Sequence, residues 1–293
     1  MNSWQVGAVK ISCVVEFKSA AVYDPERGMI IGATPEVVAQ IEWLKPNYVS
    51  PEGHLLMAVQ AVLVEAPGLK LIVDTCVGND KPRRMTRGIG LKTGFLQRLA
   101  AAGWSRDDVT AVVCTHLHID HIGWNTMQEN GRWVPTFARA RYLMARQEYE
   151  FWVQDEEDDE QIAALGDSVQ PLFAAGLVQL VALDHELTPE VRLLPSPGHT
   201  PGHVCVAIES RGERAVITGD MVHHPCQIAR PELLARFDSD HAAALATRRR
   251  LLAEWADQPV LVVGTHFVAP AGGYIRSDAA AYRFAPGPFV SGR

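Results

Sequence analysis

Residues 6–17 alternate polar and apolar side chains and are rich in β-branched residues, which predicts a strand. Thr34-Pro35-Glu36 has the form of a helix start, with Thr34 as N-cap and Pro35 at the first helical position, and the helix is expected to run through Trp43. Residues 57–65 and 70–74 read as two strands joined by the turn signal Ala66-Pro67-Gly68. Residues 94–102 form a short amphipathic pattern closed by Gly103, the usual place for a left-handed cap. An apolar strand is expected at 111–115, delivering His116 at its carboxyl end, and Asn130-Gly131 marks a hairpin turn. Residues 146–183 are expected to be helical in large part. Strands return at 191–194, 204–209 and 215–218, followed by a helix at 240–256 and a buried strand at 260–264 that runs into Thr265-His266. Two sets of strands, each interleaved with helices, predict a layered α/β architecture with strand-end loops gathered along one edge. No short-period repeat and no linker rich in Gly, Ser or Pro breaks the chain, so one domain is expected across residues 1–293.

Composition narrows the partners. With 27 basic and 34 acidic residues the formal charge is -7, which argues against nucleic acid, whose binders carry a basic stripe to neutralise phosphates. No long apolar run predicts a membrane segment, and a small-molecule partner is expected instead. The N-terminal residues lack a basic region followed by a continuous apolar core, so the expectation is a cytoplasmic protein without a signal peptide. Cys13, Cys76, Cys114, Cys205 and Cys226 are scattered without C-x-x-C spacing and are expected to be buried free thiols. The acidic run 155–160 reads as a solvated face rather than a metal site.

Candidate chemistry is concentrated at residues 115–123, Thr-His-Leu-His-Ile-Asp-His-Ile-Gly. Imidazole nitrogen suits zinc, iron and nickel, and a carboxylate adds charge compensation and a harder oxygen donor. In a tight loop after a strand, His116, His118, Asp120 and His121 can converge on a small volume. Three further candidates lie just beyond predicted strands: His199 in Ser196-Pro197-Gly198-His199-Thr200-Pro201-Gly202-His203, Asp220 in Thr218-Gly219-Asp220, and His266. Gly198 and Gly219 are expected to let the backbone approach the site closely. Each alone is more often structural, but five His and two Asp together suit two adjacent metal ions.

With these residues in view, the chain resembles the metallo-β-lactamase superfamily, specifically its lactonase and methyl-parathion-hydrolase-like branch. The H-x-H-x-D-H signature, the G-H-T-P-G-H segment, the G-D pair and the final strand-His occur in the family's order between Val73-Asp74-Thr75 and His266. The resemblance implies an α/β fold, an αββα sandwich of two mixed β-sheets flanked by helices. It implies that His116, His118 and His199 bind a first metal, that Asp120, His121 and His266 bind a second, and that Asp220 bridges them. Asp74 would orient the metal loop by hydrogen bonds from outside the ligand set. Two Zn²⁺ are the family's usual cofactors, with iron and manganese also occurring, and relatives are often homodimers, for which the apolar residues 29–33 are a candidate surface.

The implied activity is a dinuclear metal-dependent hydrolase in which hydroxide held between the metals cleaves a small ester, lactone or related substrate. Asp120 is the candidate to orient the nucleophile or pass a proton. Hydrolysis of phosphotriesters or hydrolytic dehalogenation of activated aromatics is an allied reading. From other classes come a non-catalytic metal-binding or regulatory protein on the same fold, and a redox enzyme. Homoserine-lactone lactonases place a Tyr three residues after the bridging Asp; here that position is His223, as in the methyl-parathion-type enzymes. His223 is therefore a candidate donor to the substrate oxygen, weighed evenly against His223 or His224 capping a turn. His54, His185, His203 and His241 read as structural. Trp124, Trp133, Phe151 and Trp152, with Phe17 and Met57, are candidate pocket walls that are more often core. No charged pocket candidate stands out, which points to a neutral, partly apolar substrate.

Overall fold

The computed structural model describes residues 3–155, 157–279 and 281–288. Strands β1 (Ser3–Val6), β2 (Val9–Ala21), β3 (Leu55–Ala66), β4 (Leu69–Val73) and β5 (Ala111–Cys114) lie side by side in that order. A separate hairpin, β6 (Thr126–Glu129) and β7 (Arg132–Pro135), precedes β8 (Arg141–Ala145) and β9 (Val178–Val181), which extend the sheet beyond β5. The first four strands are antiparallel, and β4, β5, β8 and β9 are parallel. A second sheet takes β10 (Glu186–Thr188), β11 (Val191–Pro195), β12 (Val204–Ser210), β13 (Glu213–Ile217), β14 (Val260–Val263), β15 (Gly272–Asp278) and β16 (Ala281–Ala285) in chain order. Only β13 and β14 are parallel there. Both sheets are thus mixed, as expected.

The helices are α1 (Pro35–Ala39), α2 (Phe95–Ala101), α3 (Arg146–Trp152), α4 (Asp159–Ser168), α5 (Gln170–Ala174), α6 (Cys226–Ala229) and α7 (His241–Trp255). Alternation along the first sheet explains the layering, because successive side chains of a strand face opposite ways. Val62, Val64, Val73 and Val113 join a core that also holds Val204, Val206, Val216 and Val262 of the second sheet and Leu251 and Leu252 of α7. Their neighbours Leu63, Ile72 and Val112 face a second core with Phe95 and Leu99 of α2, Leu165 of α4 and Leu172 of α5. All five cysteines are free and buried, and burial pushes the Cys13, Cys114, Cys205 and Cys226 thiols up to about 12.

Several elements differ from expectation for local reasons. The first predicted strand forms from Val9 onward, as part of β2, and Gly7 at φ +57 turns the chain back from β1 just before it. The helix at Thr34 is capped as expected, Val37 N donating to Thr34 Oγ1, but it ends at Ala39 and a 3-10 turn at Glu42–Leu44 follows. The segment expected to be helical through 183 ends instead in β9, whose four residues pair in parallel with β8. The turn at Asn130-Gly131, with φ +52 and +78, joins β6 to β7 as its chemistry demands. Among the described residues no helix is long and apolar enough to cross a membrane.

Candidate metal centre

β5, β11, β13 and β14 all release their chains at the same edge, so the loops that follow them meet. Backbone bonds fasten these loops across the two sheets: Val204 N donates to Thr115 O at 3.0 Å, and Ala58 N to His266 O at 3.0 Å. The buried amide of Gln60, on β3, donates to Gly264 O and Phe267 O at 3.0 and 2.9 Å and so grips the loop that carries His266.

The seven side chains singled out above converge in two groups. His116, His118, His199 and Asp220 each offer a donor atom within 4.8 Å of one another, and Asp120, His121 and His266 do the same. His118 Nδ1 lies 3.0 Å from His116 Nε2 and 2.9 Å from His199 Nε2, and the Nε2 atoms of His121 and His266 are 3.2 Å apart. Donor atoms around a tetrahedral zinc stand about 3.3 Å apart, given zinc–nitrogen bonds of about 2.0–2.1 Å. The spacing and the N/O donor set therefore suit a small divalent cation in each group. Asp220 reaches both: its Oδ2 is 3.4 Å from His199 Nε2, and its Oδ1 is 3.1 Å from His266 Nε2. Asp120 lies 3.7 Å from His121 and 3.6 Å from His266 and is the more exposed carboxylate.

The outward ring nitrogens of His121, His266 and His199 are tied to the scaffold. Asp74, held at φ +58, accepts from Thr115 N at 2.8 Å, Thr115 Oγ1 at 2.9 Å and His121 Nδ1 at 2.9 Å. His266 Nδ1 donates to Ala58 O at 2.9 Å. His199 Nδ1 donates to Asp238 Oδ1 at 2.9 Å. Asp238 escaped sequence reading: it lies 39 residues from His199, before α7, and no motif flags it. Behind it sits the buried guanidinium of Arg248, 3.8 Å away, which also donates to the carbonyls of Met221, Pro231 and Leu233. Such outer partners fix the tautomer and orientation of a metal-binding imidazole. His203 serves the cluster indirectly, its Nε2 accepting from Asp220 N at 2.9 Å and its Nδ1 facing Ser196 Oγ at 2.8 Å. Gly219, at φ +52, has no room for a Cβ, which would stand 2.5 Å from that His203 ring; Gly198 makes its close approach to Ala244 of α7 instead.

Burial, reinforced by neighbouring imidazoles, holds His116, His118 and His199 well below the ordinary histidine value, so their lone pairs are free to bind a cation. Burial also opposes charge on His121 and His266, but the carboxylates of Asp220 and Asp120 outweigh it and draw both upward. Burial opposes the Asp220 anion in turn, and His121, His266 and His223 outweigh that. The centre therefore demands positive charge between its carboxylates.

A cavity of about 340 Å³ opens onto the cluster, reaching His118, Asp120, His199, Asp220 and His266. Its apolar walls come from Met29, Met85, Ile119, Trp152 and Phe237. Of the six aromatic and methionine candidates named from sequence, only Trp152 lines it. Trp124 is buried and stacks on Phe95, Trp133 lies under the Lys81 ammonium, and Phe17 and Met57 join the cores. In segment 29–33, Met29 faces the cavity, Ile30 is buried against Ala235, and Ile31 is exposed. The expectation of no charged lining is corrected as well. Arg84, Asp158 and Glu160 stand in the wall, Arg84 pairing with Asp158 at 3.0 Å and its backbone N donating to Glu160. The acidic run is thus partly solvated and partly cavity rim; Glu156 lies outside the described residues.

The two adjacent histidines divide the roles left open. His223 faces the cavity, with Nε2 3.1 Å from Asp220 Oδ2 and Nδ1 buried without a partner among the described residues. His224 is the structural one: its Nδ1 accepts from Cys226 N at 3.1 Å and its Nε2 donates to Tyr48 O at 2.9 Å.

Residues 56–266 match the family described as the Metallo-beta-lactamase superfamily. The chain belongs to this superfamily. Curated relatives include an N-acyl homoserine lactonase of a Bacillus sp, 29% identical over 154 residues that make up 52% of this chain and 54% of that protein. Another is the N-acyl homoserine lactonase AiiA of Bacillus thuringiensis subsp. kurstaki, 29% identical over 119 residues, 41% of this chain and 40% of the relative. The chain spans about half the length of the curated relatives it matches, or less. Solved structures match over nearly the whole chain. One, described as hydrolase AbOPH in the beta lactamase superfamily, has a TM-score of 0.78 at 25% identity and covers 98% of this chain and 97% of its own. AidC, a dizinc quorum-quenching lactonase solved with a product, has a TM-score of 0.78 at 22% identity and covers 99% and 98%. The expected superfamily and its two-sheet fold are both borne out.

Proposed function

We propose that this chain is a metal-dependent hydrolase carrying two divalent cations, zinc by preference, and cleaving a small ester, lactone or related substrate. The observation that carries the reading is the position of Asp220 between the two groups of histidines on the floor of a largely apolar cavity, with Oδ2 3.4 Å from His199 and 3.3 Å from His121 and Oδ1 3.1 Å from His266. In this reading His116, His118 and His199 hold one ion, Asp120, His121 and His266 the other, and Asp220 both. Bound there, the ions would lower the pKa of water between them and polarise the substrate's carbonyl or phosphoryl oxygen.

The remaining roles fall to the chain's own groups. Asp120 stands at the cavity floor as the more exposed carboxylate, placed to take a proton from water and return it to the leaving group. His223 has its Nε2 facing Asp220 and the cavity together, from where it would donate a hydrogen bond to a substrate oxygen. Met29, Met85, Ile119, Trp152 and Phe237 receive the apolar part of the substrate and exclude water. The hydrolase and lactonase descriptions of the relatives support the class of reaction. Phosphotriester cleavage is the second reading, favoured by a histidine rather than a tyrosine at 223.

A panel of lactones, aryl esters, phosphotriesters, β-lactams and halogenated aromatics tests this. Chelator-sensitive hydrolysis of a lactone or ester is expected, and metal-loaded protein inert towards the whole panel would contradict it.

A further inference from the structure

Glu148, on α3, is fully buried yet belongs to no element of the centre described so far. Its Oε1 accepts from Leu117 N at 3.0 Å and from Trp152 Nε1 at 2.6 Å, and its Oε2 accepts from Gly202 N at 3.1 Å. Leu117 is the residue between His116 and His118. Gly202 closes the turn that carries His199, and Trp152 packs edge-on against His118, ring centroids 5.1 Å apart. One carboxylate thus binds the loop of the first sheet, the loop of the second, and the indole beside them. All three contacts bear on the group His116, His118, His199, and none on Asp120, His121 or His266.

The close approach has a sequence trace. A Cβ on Gly202 would stand 2.2 Å from Glu148 N and 2.5 Å from Glu148 Cα. The second glycine of Gly198-His199-Thr200-Pro201-Gly202-His203 is therefore explained by α3 running against the turn, not by any contact with a metal. Burial pushes the Glu148 carboxyl up, and the two backbone amides and the indole N–H that converge on it offset part of the cost of burying its charge.

We propose that Glu148 is a positioning residue that organises one of the two metal subsites, the one built from His116, His118 and His199, independently of the other. The inference rests on the two-metal reading above. Replacing Glu148 by Gln keeps the shape but turns an NH₂ group toward one of the amide donors, so one of the two loops loses its tie. The expected result is selective.

The test titrates metal-free wild-type and E148Q protein with Co²⁺, following the visible bands of each subsite and the stoichiometry against a competing chelator. One subsite should weaken by about 10–100-fold, the range for outer partners of metal ligands, while the other keeps its wild-type affinity and spectrum. Trp152→Phe, which removes the indole donor but leaves both loop amides paired, should retain more of the affinity of the weakened subsite than E148Q does. Equal weakening of both subsites in E148Q, or two ions bound as in wild type, would overturn the proposal. Failure of the wild-type protein to bind two ions would instead sink the two-metal reading itself. If E148Q proves insoluble, W152F carries the test alone, with weakening confined to one subsite expected and none contradicting it.

Discussion

The half of the site contributed by the first sheet and the half contributed by the second are built in opposite ways. From the first sheet, His116, His118, Asp120 and His121 leave one strand on one loop, which Asp74 ties at Thr115 and His121 and Glu148 at Leu117. From the second, His199, Asp220 and His266 leave three different strands, each with its own anchor: Asp238 for His199, His203 for Asp220, and Ala58 for His266. A contiguous loop concentrates chemistry where one anchor serves several donors. A dispersed set needs an anchor for each donor, and the anchors lie far away in sequence. Asp220 and Glu148 are the side chains that join the two halves, beside the backbone bonds from Val204 N to Thr115 O and from Ala58 N to His266 O.

Breaking the joint should have the largest effect. Asp220→Ala removes the carboxylate shared by both groups, so metal binding should fall at both subsites and kcat/KM by more than the roughly 100-fold expected of an outer partner. Titration and steady-state kinetics on the same preparation check both. The anchors come next, and here the halves can be set against each other. Asp74→Asn, which tolerates the left-handed backbone at that position, should cost about 10–100-fold in affinity, chiefly at the subsite holding His121. Asp238→Asn should cost a similar factor, chiefly at the subsite holding His199. Chelator competition with each variant would show whether the losses fall on different ions, and loss on the same ion would undo the division.

A change confined to the cavity should leave the metals alone. His223→Phe is expected to lower kcat/KM by about 10²–10³, the usual cost of losing one donor to a developing oxyanion, with metal content unchanged. Loss of metal in H223F would make His223 part of the metal set instead.

These differences explain what could be read from the chain before its structure. The loop at 115–123 declares itself because its donors are neighbours. His199, Asp220 and His266 become legible only as a set, through their order and their strand-end positions. Asp238, Arg248 and Glu148 carry no motif, since each works through a contact that only the folded chain creates. Among the strands, β3, β4, β5 and β14 follow from apolar runs. β9 and β15 were missed because Leu180-Val181 and Gly272-Gly273 do not alternate clearly, and pairing with a neighbour decides them. The cavity walls at Met29, Met85 and Phe237 come from loops whose spacing has no period to read.

A further expected effect falls on stability rather than on metal and concerns His224, the buried neighbour of His223. Burial holds His224 down at about 4, and its neutral ring both accepts from Cys226 N and donates to Tyr48 O. In the unfolded chain its value returns to about 6.5. Between these values the unfolded state binds a proton that the folded state does not. Its stabilising contribution is therefore intact above pH 6.5 and drains away as pH falls toward 4, by on the order of 3 kcal/mol in all. Denaturant unfolding of wild type and His224→Gln should show the difference between them shrinking across that window. A difference constant with pH would mean His224 is not held neutral.

The central claim is that one carboxylate joins two cation subsites, and metal analysis tests it most directly. Protein purified without added metal, analysed by elemental mass spectrometry alongside D220A, should carry two divalent cations per chain in the wild type, lose hydrolysis with their chelation and regain it with zinc. A chain that hydrolyses its substrate at full rate after both ions are stripped, or a D220A variant that retains both ions, would contradict it.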